Sequence, residues 1–166
     1  MNITLTLNGK RRTADIHPNA KLSDVLRQLG CASVKMGCNE GACGSCAVSV
    51  NGRVINSCLA YAAQADGGTV ETVESIGSLD HPRPIQAALV EEGAVQCGFC
   101  MPGMIMAAKA LFDKNPSPTD AELAIHLDGQ LCRCTGYEKI QSALRRVAAH
   151  GAPVPSPGSS TKGGRS

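Results

Sequence analysis

Ile3, Leu5 and Leu7 alternate with Thr4 and Thr6, a period of two that predicts a half-buried β-strand at the start of the chain. Asn8-Gly9 follows, the strongest short-range hairpin signal, so residues 10–16 read as its partner strand. The period then changes to that of a helix: Leu22, Val25, Leu26 and Leu29 stand at i, i+3, i+4 and i+7, one apolar face that can lie across a sheet. A second hairpin is predicted where Asn51-Gly52 separates residues 47–50 from 53–56, and residues 69–73 read as a last strand. The first half is therefore a sheet with one helix across it.

Ile76-Gly77-Ser78-Leu79-Asp80-His81-Pro82-Arg83-Pro84 interrupts the pattern and reads as a connection. Beyond it every periodic segment is helical. Ile85, Ala88 and Leu89 mark a helix ending near Gly93, and residues 103–112, rich in Met, Ala, Ile and Leu, predict a second. Pro116 and Pro118 stop the chain before Thr119, which with Glu122 forms a capping box opening a third helix. Thr135 and Glu138 predict the same device before a fourth, whose stripe is Ile140, Leu144 and Val147. The expected organisation is an α+β unit over 1–77, a linker over 78–84, an all-α unit over 85–150 and a disordered Gly/Pro/Ser-rich tail over 151–166.

With four aromatic residues among 166, neither unit has the usual large core residues, so some other cross-link is expected to complete the fold. A net charge of +2 without a Lys/Arg block leaves no nucleic-acid footprint. No apolar run of 18 residues suggests a membrane span, and the chain opens in an alternating strand rather than a charged leader. A cytoplasmic location is the default expectation.

The cross-link is legible in the cysteines. Eight of nine fall into two unlike sets of four. Cys38, Cys43, Cys46 and Cys58 have the C-x4-C-x2-C spacing, with a distant fourth, of a plant-type [2Fe–2S] site. Three thiolates from so short a segment converge only if the chain wraps round the inorganic core; Gly37, Gly41 and Gly44 allow that wrapping and the close backbone approach it needs. Inward-turned N–H groups would then stabilise an all-thiolate cluster. Disulfides fit poorly with nine cysteines, and zinc expects two C-x2-C-like pairs rather than this asymmetric spacing.

Cys97, Cys100, Cys132 and Cys134, the C-x2-C and C-x-C set, also suit a zinc knuckle when taken alone. Beside the first set, a second [2Fe–2S] cluster is the stronger reading, and the absence of histidine from both sets removes the Rieske alternative. Cys31 is left over as a buried thiol, and Met101, Met104 and Met106 have the spacing of core residues rather than soft metal ligands.

Gly37-Cys38-Asn39-Glu40-Gly41-Ala42-Cys43-Gly44-Ser45-Cys46, Cys58, Gln96-Cys97-Gly98-Phe99-Cys100-Met101-Pro102-Gly103 and Cys132-Arg133-Cys134-Thr135-Gly136-Tyr137 together closely resemble the small iron–sulfur subunit of the molybdenum hydroxylases, the xanthine dehydrogenase and aldehyde oxidoreductase group. The resemblance covers about residues 2–150, with Ser45 standing where many relatives have alanine. It implies a β-grasp plant-type ferredoxin domain followed by a four-helix domain, each with one [2Fe–2S] cluster.

It further implies an electron-transfer role in an oxidoreductase complex, with no substrate-converting site on this chain. A large subunit would hold a molybdenum–pterin cofactor and hydroxylate an N-heterocycle or aldehyde with oxygen from water. Electrons would leave through the helical-domain cluster and then the ferredoxin-domain cluster, usually for FAD on a medium subunit, in a complex with room for dimerisation. By the same resemblance Gln96 reaches the pterin, its amide able to donate and accept. Arg133, between two thiolates, reads either as a charge that raises a cluster potential or as a solvated surface arginine. A free two-cluster ferredoxin and a zinc-stabilised binding module are the alternatives; the modest, mixed charge argues against the shuttle, which favours a strongly charged docking face.

Overall fold

Both Asn-Gly dipeptides turn the chain as their chemistry requires. In the computed structural model, which describes residues 1–78 and 80–150, Asn8 and Gly9 have φ of 50° and 76°, and Asn51 and Gly52 have φ of 50° and 79°. Both turns thus take the left-handed conformation of tight hairpins. The first joins β1 (Asn2–Leu7) to β2 (Lys10–Asp15), and the second joins β3 (Ala47–Val50) to β4 (Arg53–Asn56). β5 (Thr69–Glu71) lies parallel to β1 and antiparallel to β3, giving the sheet order β2-β1-β5-β3-β4.

The last strand is shorter than its sequence pattern predicts. It ends at Glu71 because the Thr72 N–H donates to Asn8 Oδ1 (2.8 Å) and the Ser75 N–H and hydroxyl both return to the Thr72 carbonyl. The chain then tightens into a 3-10 turn over Val73–Ser75 instead of continuing the ladder.

α1 (Leu22–Gln28) crosses one sheet face and buries Leu22, Val25 and Leu26 against Ile3, Leu5, Leu7, Val48 and Val70. Each such side chain contributes about 1.5–3 kcal/mol of transfer free energy. β3 is buried on both faces: Val48 points to this core, while Ala47 joins the core of the helical half. One strand thereby belongs to both halves.

The second half comprises α2 (Pro84–Glu91), α3 (Met101–Lys114), α4 (Asp120–Leu127) and α5 (Glu138–Ala149). α3 begins earlier than its apolar periodicity predicts because Pro102 sits in the first turn, where a missing N–H costs nothing. Ile85, Leu89, Met104, Met106, Leu123, Ile140 and Leu144 fill the core, and Met101 is buried with them. Aliphatic and thioether side chains therefore do most of the packing, with Phe112 as the buried aromatic.

At the surface Arg146 of α5 pairs with Glu91 and Glu92 (both 2.7 Å), and Arg145 with Asp120 of α4 (2.8 Å). The connection between the halves is pinned: Ile76 is buried in the helical core and its carbonyl accepts from Arg83 Nε at 2.7 Å. The architecture is α+β, a β-grasp sheet followed by a four-helix unit. Among the described residues no helix is long and apolar enough to cross a membrane. The tail expected to be disordered, 151–166, lies outside the described residues.

Candidate metal centres

The first cysteine set occupies the loop between α1 and β3, closed from the far side of the β3–β4 hairpin. Cys38 Sγ accepts from the Ala42 N–H at 3.2 Å. Its pKa is drawn down to about 7, chiefly by the Glu40 N–H, against the opposing effect of burial and with help from Cys43 and Ala42. The loop does turn N–H groups inward, as its glycines suggest.

Those glycines act differently from one another. Gly41 and Gly44 have φ of 84° and 70°, and a Cβ there would strike the Leu59 side chain or the Gln130 side chain and Gly129 carbonyl. Gly37 has no such φ; its role is close approach, since a Cβ would stand 2.8 Å from Cys43 Sγ. Cys46 and Cys58 are buried on the inner side, tied by Ser57 Oγ donating to the Cys46 carbonyl at 2.7 Å. Asn56 Nδ2 holds the loop through the Gly41 carbonyl at 2.9 Å. Burial, and next Cys46, push the Cys58 thiol up to about 11.

The second set lies where two loops meet at helix ends. Cys100 caps α3, Cys97 precedes it, and Cys132 and Cys134 lead into α5. Cys97 and Cys134 face each other with sulfurs 3.5 Å apart, both exposed. Burial, and next Cys132, push Cys100 up to about 12. Burial is also the largest influence on Cys132 and raises it, but the Thr135 hydroxyl donating to its sulfur at 3.1 Å, with the Thr135 and Cys134 N–H groups, brings its pKa down. The Phe99 N–H is the main influence lowering Cys97, and Cys97 in turn raises Cys134.

The predicted Thr135–Glu138 capping box does not form. Thr135 Oγ1 accepts from the Tyr137 N–H (3.2 Å) and donates to Cys132 Sγ, so it serves the cysteine loop rather than the helix. α5 instead starts after Tyr137, held in the left-handed region at φ 69°. The Tyr137 hydroxyl accepts from the Cys132 N–H (2.8 Å) and donates to the Gln130 carbonyl (2.9 Å). Sequence reasoning missed this anchor because a tyrosine in a helix-start pattern carries no signal of where its hydroxyl ends.

Among the described residues no three His, Cys, Asp or Glu side chains close on one point as around a single ion. The thiols stand in pairs: Cys38 with Cys43, Cys46 with Cys58, Cys97 with Cys134 and Cys100 with Cys132. Two pairs per site is the donor arrangement of a two-iron cluster with four thiolate ligands. The eight cysteines fit that group, which would accept and return single electrons.

The two sites also touch through the backbone. The Leu131 N–H, one residue before Cys132, donates to the Cys43 carbonyl at 2.9 Å. Leu131 is exposed, as are Phe99 and Val95 around the second site. Gln96 and Arg133 are exposed too and make no side-chain hydrogen bond among the described residues. Ser45 is buried, and a Cβ at Gly37 would stand 3.7 Å from its Oγ. Cys31 is buried apart from both sets, 3.9 Å from Asn8 Nδ2, and burial raises its pKa.

This fold and this pair of sites define a two-part 2Fe–2S-binding protein. The family described as a 2Fe-2S iron-sulfur cluster binding domain matches residues 5–72, and the [2Fe-2S] binding domain family matches residues 72–145. The nicotinate dehydrogenase small FeS subunit of Eubacterium barkeri is 49% identical over 146 residues, covering 87% of this chain and 93% of that one. The xanthine dehydrogenase iron-sulfur-binding subunit of Escherichia coli O157:H7 is 45% identical over 149 residues, covering 87% and 92%. The crystal structure of quinoline 2-oxidoreductase from Pseudomonas putida 86 superposes with a TM-score of 0.86 at 39% identity, covering 91% of this chain and 95% of the matched one. The chain belongs to the small iron–sulfur subunits of the molybdenum hydroxylase family and is, in that capacity, part of an oxidoreductase.

Proposed function

We propose that this chain relays electrons inside a molybdenum hydroxylase complex, from a molybdenum–pterin centre on a large subunit to FAD on a medium subunit. Cys38, Cys43, Cys46 and Cys58 would hold one [2Fe–2S] cluster and Cys97, Cys100, Cys132 and Cys134 the other. The observation that carries the reading is the Leu131 N–H to Cys43 carbonyl bond of 2.9 Å, which joins a ligand of one site to the neighbour of a ligand of the other. A scaffold of this kind contributes distance, orientation and electrostatics rather than bond-making.

Electrons would enter at the helical site. Cys97, Phe99 and Cys134 are exposed there beside Gln96, whose amide is free to hydrogen-bond a pterin held by a partner, and Val95 and Leu131 supply apolar contact area. Arg133 would favour the reduced state of that site by its charge. Gly37, Gly41 and Gly44 keep the ferredoxin loop closed round the other. The complex would serve water-dependent hydroxylation of an N-heterocycle or aldehyde; the names of the nicotinate and quinoline enzymes support the N-heterocycle.

Purification from the source cell tests the reading. The chain should co-elute with a molybdenum-containing large subunit and a flavoprotein, and the N-heterocycle should bleach the iron–sulfur absorbance under anaerobic conditions. Isolation as a free, iron-loaded chain would support the shuttle instead.

A further inference from the structure

Where the two halves meet, one polar side chain has no ordinary partner. Gln130 is 8% exposed, and its Oε1 is buried without a hydrogen-bond donor. An orphaned buried carbonyl costs about 1–3 kcal/mol, so it calls for an explanation.

The surroundings supply one. A Cβ on Gly103, in the first turn of α3, would stand 2.5 Å from this oxygen, and one on Gly44, between Cys43 and Ser45, would collide with it. The glycine hydrogens that occupy those directions therefore point at Oε1, the geometry of weak Cα–H···O contacts from both halves. Gly103 and the Gly44 carbonyl also meet directly, with no room for a Cβ between them. Three residues thus form one junction: Gly44 of the ferredoxin loop, Gly103 of α3 and Gln130 ahead of Cys132. The Leu131 to Cys43 bond lies beside it.

We propose that Gln130 is a positioning residue for electron passage between the two sites, wedging the Cys43–Gly44 loop against the Gly103 turn and so fixing the separation and orientation of the two iron pairs. The inference rests on the relay reading. The Gln130 backbone is already held, since its carbonyl accepts from Tyr137 and its N–H donates to the Leu127 carbonyl at 2.9 Å. Its side chain is consequently presented to the junction from a fixed base. Truncation would leave a gap that lets the loop and α3 shift, while none of the cysteine ligands is touched.

The test uses the full iron-loaded chain, reduced with dithionite, and needs no partner subunit. Magnetic coupling between two reduced clusters falls with the cube of their separation and depends on their orientation, so low-temperature electron spin resonance reads the junction directly. Gln130→Ala should keep its full iron content and each cluster's midpoint potential, change the coupling splitting, and speed amide exchange at Leu131 by about tenfold, equivalent to roughly 1.4 kcal/mol of local protection. Gln130→Met, which keeps the bulk, should return the native splitting.

An iron-replete Gln130→Ala with native splitting and native Leu131 exchange overturns the positioning role while leaving the relay intact. A native chain that binds only one cluster overturns the relay itself. Should Gln130→Ala lose iron, Gly103→Ala decides the question: its methyl must push the Gly44 carbonyl and Gln130 away, and an unchanged splitting would overturn the proposal.

Discussion

Replacing Tyr137 with phenylalanine removes one oxygen and two hydrogen bonds, at 2.8 Å from the Cys132 N–H and 2.9 Å to the Gln130 carbonyl. Both partner groups are only partly buried, so water recovers some of the loss, and a net cost of about 2–3 kcal/mol follows from the usual 1–3 kcal/mol per unsatisfied buried group. The ring stays, so its packing against the helical core is retained. The left-handed backbone at 137 also stays, at about 1–3 kcal/mol, but without the hydroxyl that holds it in place. For a chain of this size each kcal/mol moves the midpoint about 2–4 °C, so Tyr137→Phe should unfold roughly 5–10 °C below the parent.

Calorimetric scans of the iron-loaded proteins at one fixed rate would measure this, since metal-containing proteins unfold irreversibly and only matched rates compare. Electron spin resonance adds the specific readout: the line shape of the Cys97/Cys100/Cys132/Cys134 cluster should change beyond any change in the splitting it shares with the Cys38-containing cluster. An iron-replete variant within about 1 °C of the parent, with both spectra unchanged, would refute the reasoning.

Cys43→Ser should leave the chain with half its native iron, and in the assembled complex substrate should still reduce the helical-half cluster while flavin reduction stops; rapid-mixing absorbance and spin resonance decide both points. Thr119→Ala, which removes the hydroxyl that accepts from the Glu122 N–H (3.3 Å), should cost about 1 kcal/mol of stability, whereas Thr135→Ala should lower the helical-half cluster potential by removing the donor to Cys132 Sγ. In the iron-free chain Cys58 and Cys100, with thiols raised to about 11 and about 12, stabilise the fold while neutral. That contribution is complete below the unfolded thiol pKa of about 8.5 and is lost as pH rises through the folded values, so denaturant midpoints of the apo chain should fall between about pH 9 and 12.

Local chemistry made much of this molecule readable. Asn8-Gly9 and Asn51-Gly52 had to be hairpins because few other dipeptides accept left-handed φ twice, and Thr119 with Glu122 had to cap a helix because both groups are local. The cysteine sets were legible because ligand identity and spacing are themselves sequence properties. What failed depended on distant partners. Residues 72–73 left the strand because Asn8, more than sixty positions away, takes the Thr72 N–H. Thr135 is the local exception: it left the helix cap for the Cys132 sulfur three positions back, a choice the capping pattern does not encode. Gln130 carries no signal in the sequence, because its burial follows from where Gly44 and Gly103 meet.

The thiol environments add a last constraint. Each site has an inner part whose protons are hard to remove, Cys58 and Cys100, and an outer part that the backbone has prepared for negative charge, Cys38 through the Glu40 N–H and Cys97 through the Phe99 N–H. Iron must displace the thiol proton to bind, so burial opposes that loss at the inner thiols while the backbone N–H groups favour it at the outer ones. The loop that carries Cys38 and Cys43 is glycine-rich and held on its own side by Asn56 Nδ2 on the Gly41 carbonyl. The same loop, once closed against Leu131 and Gln130, is fixed from the helical half. The contacts that hold the ligand loop and those that dock the two halves are therefore partly the same ones, with the Cys43 carbonyl and Gly44 shared between them.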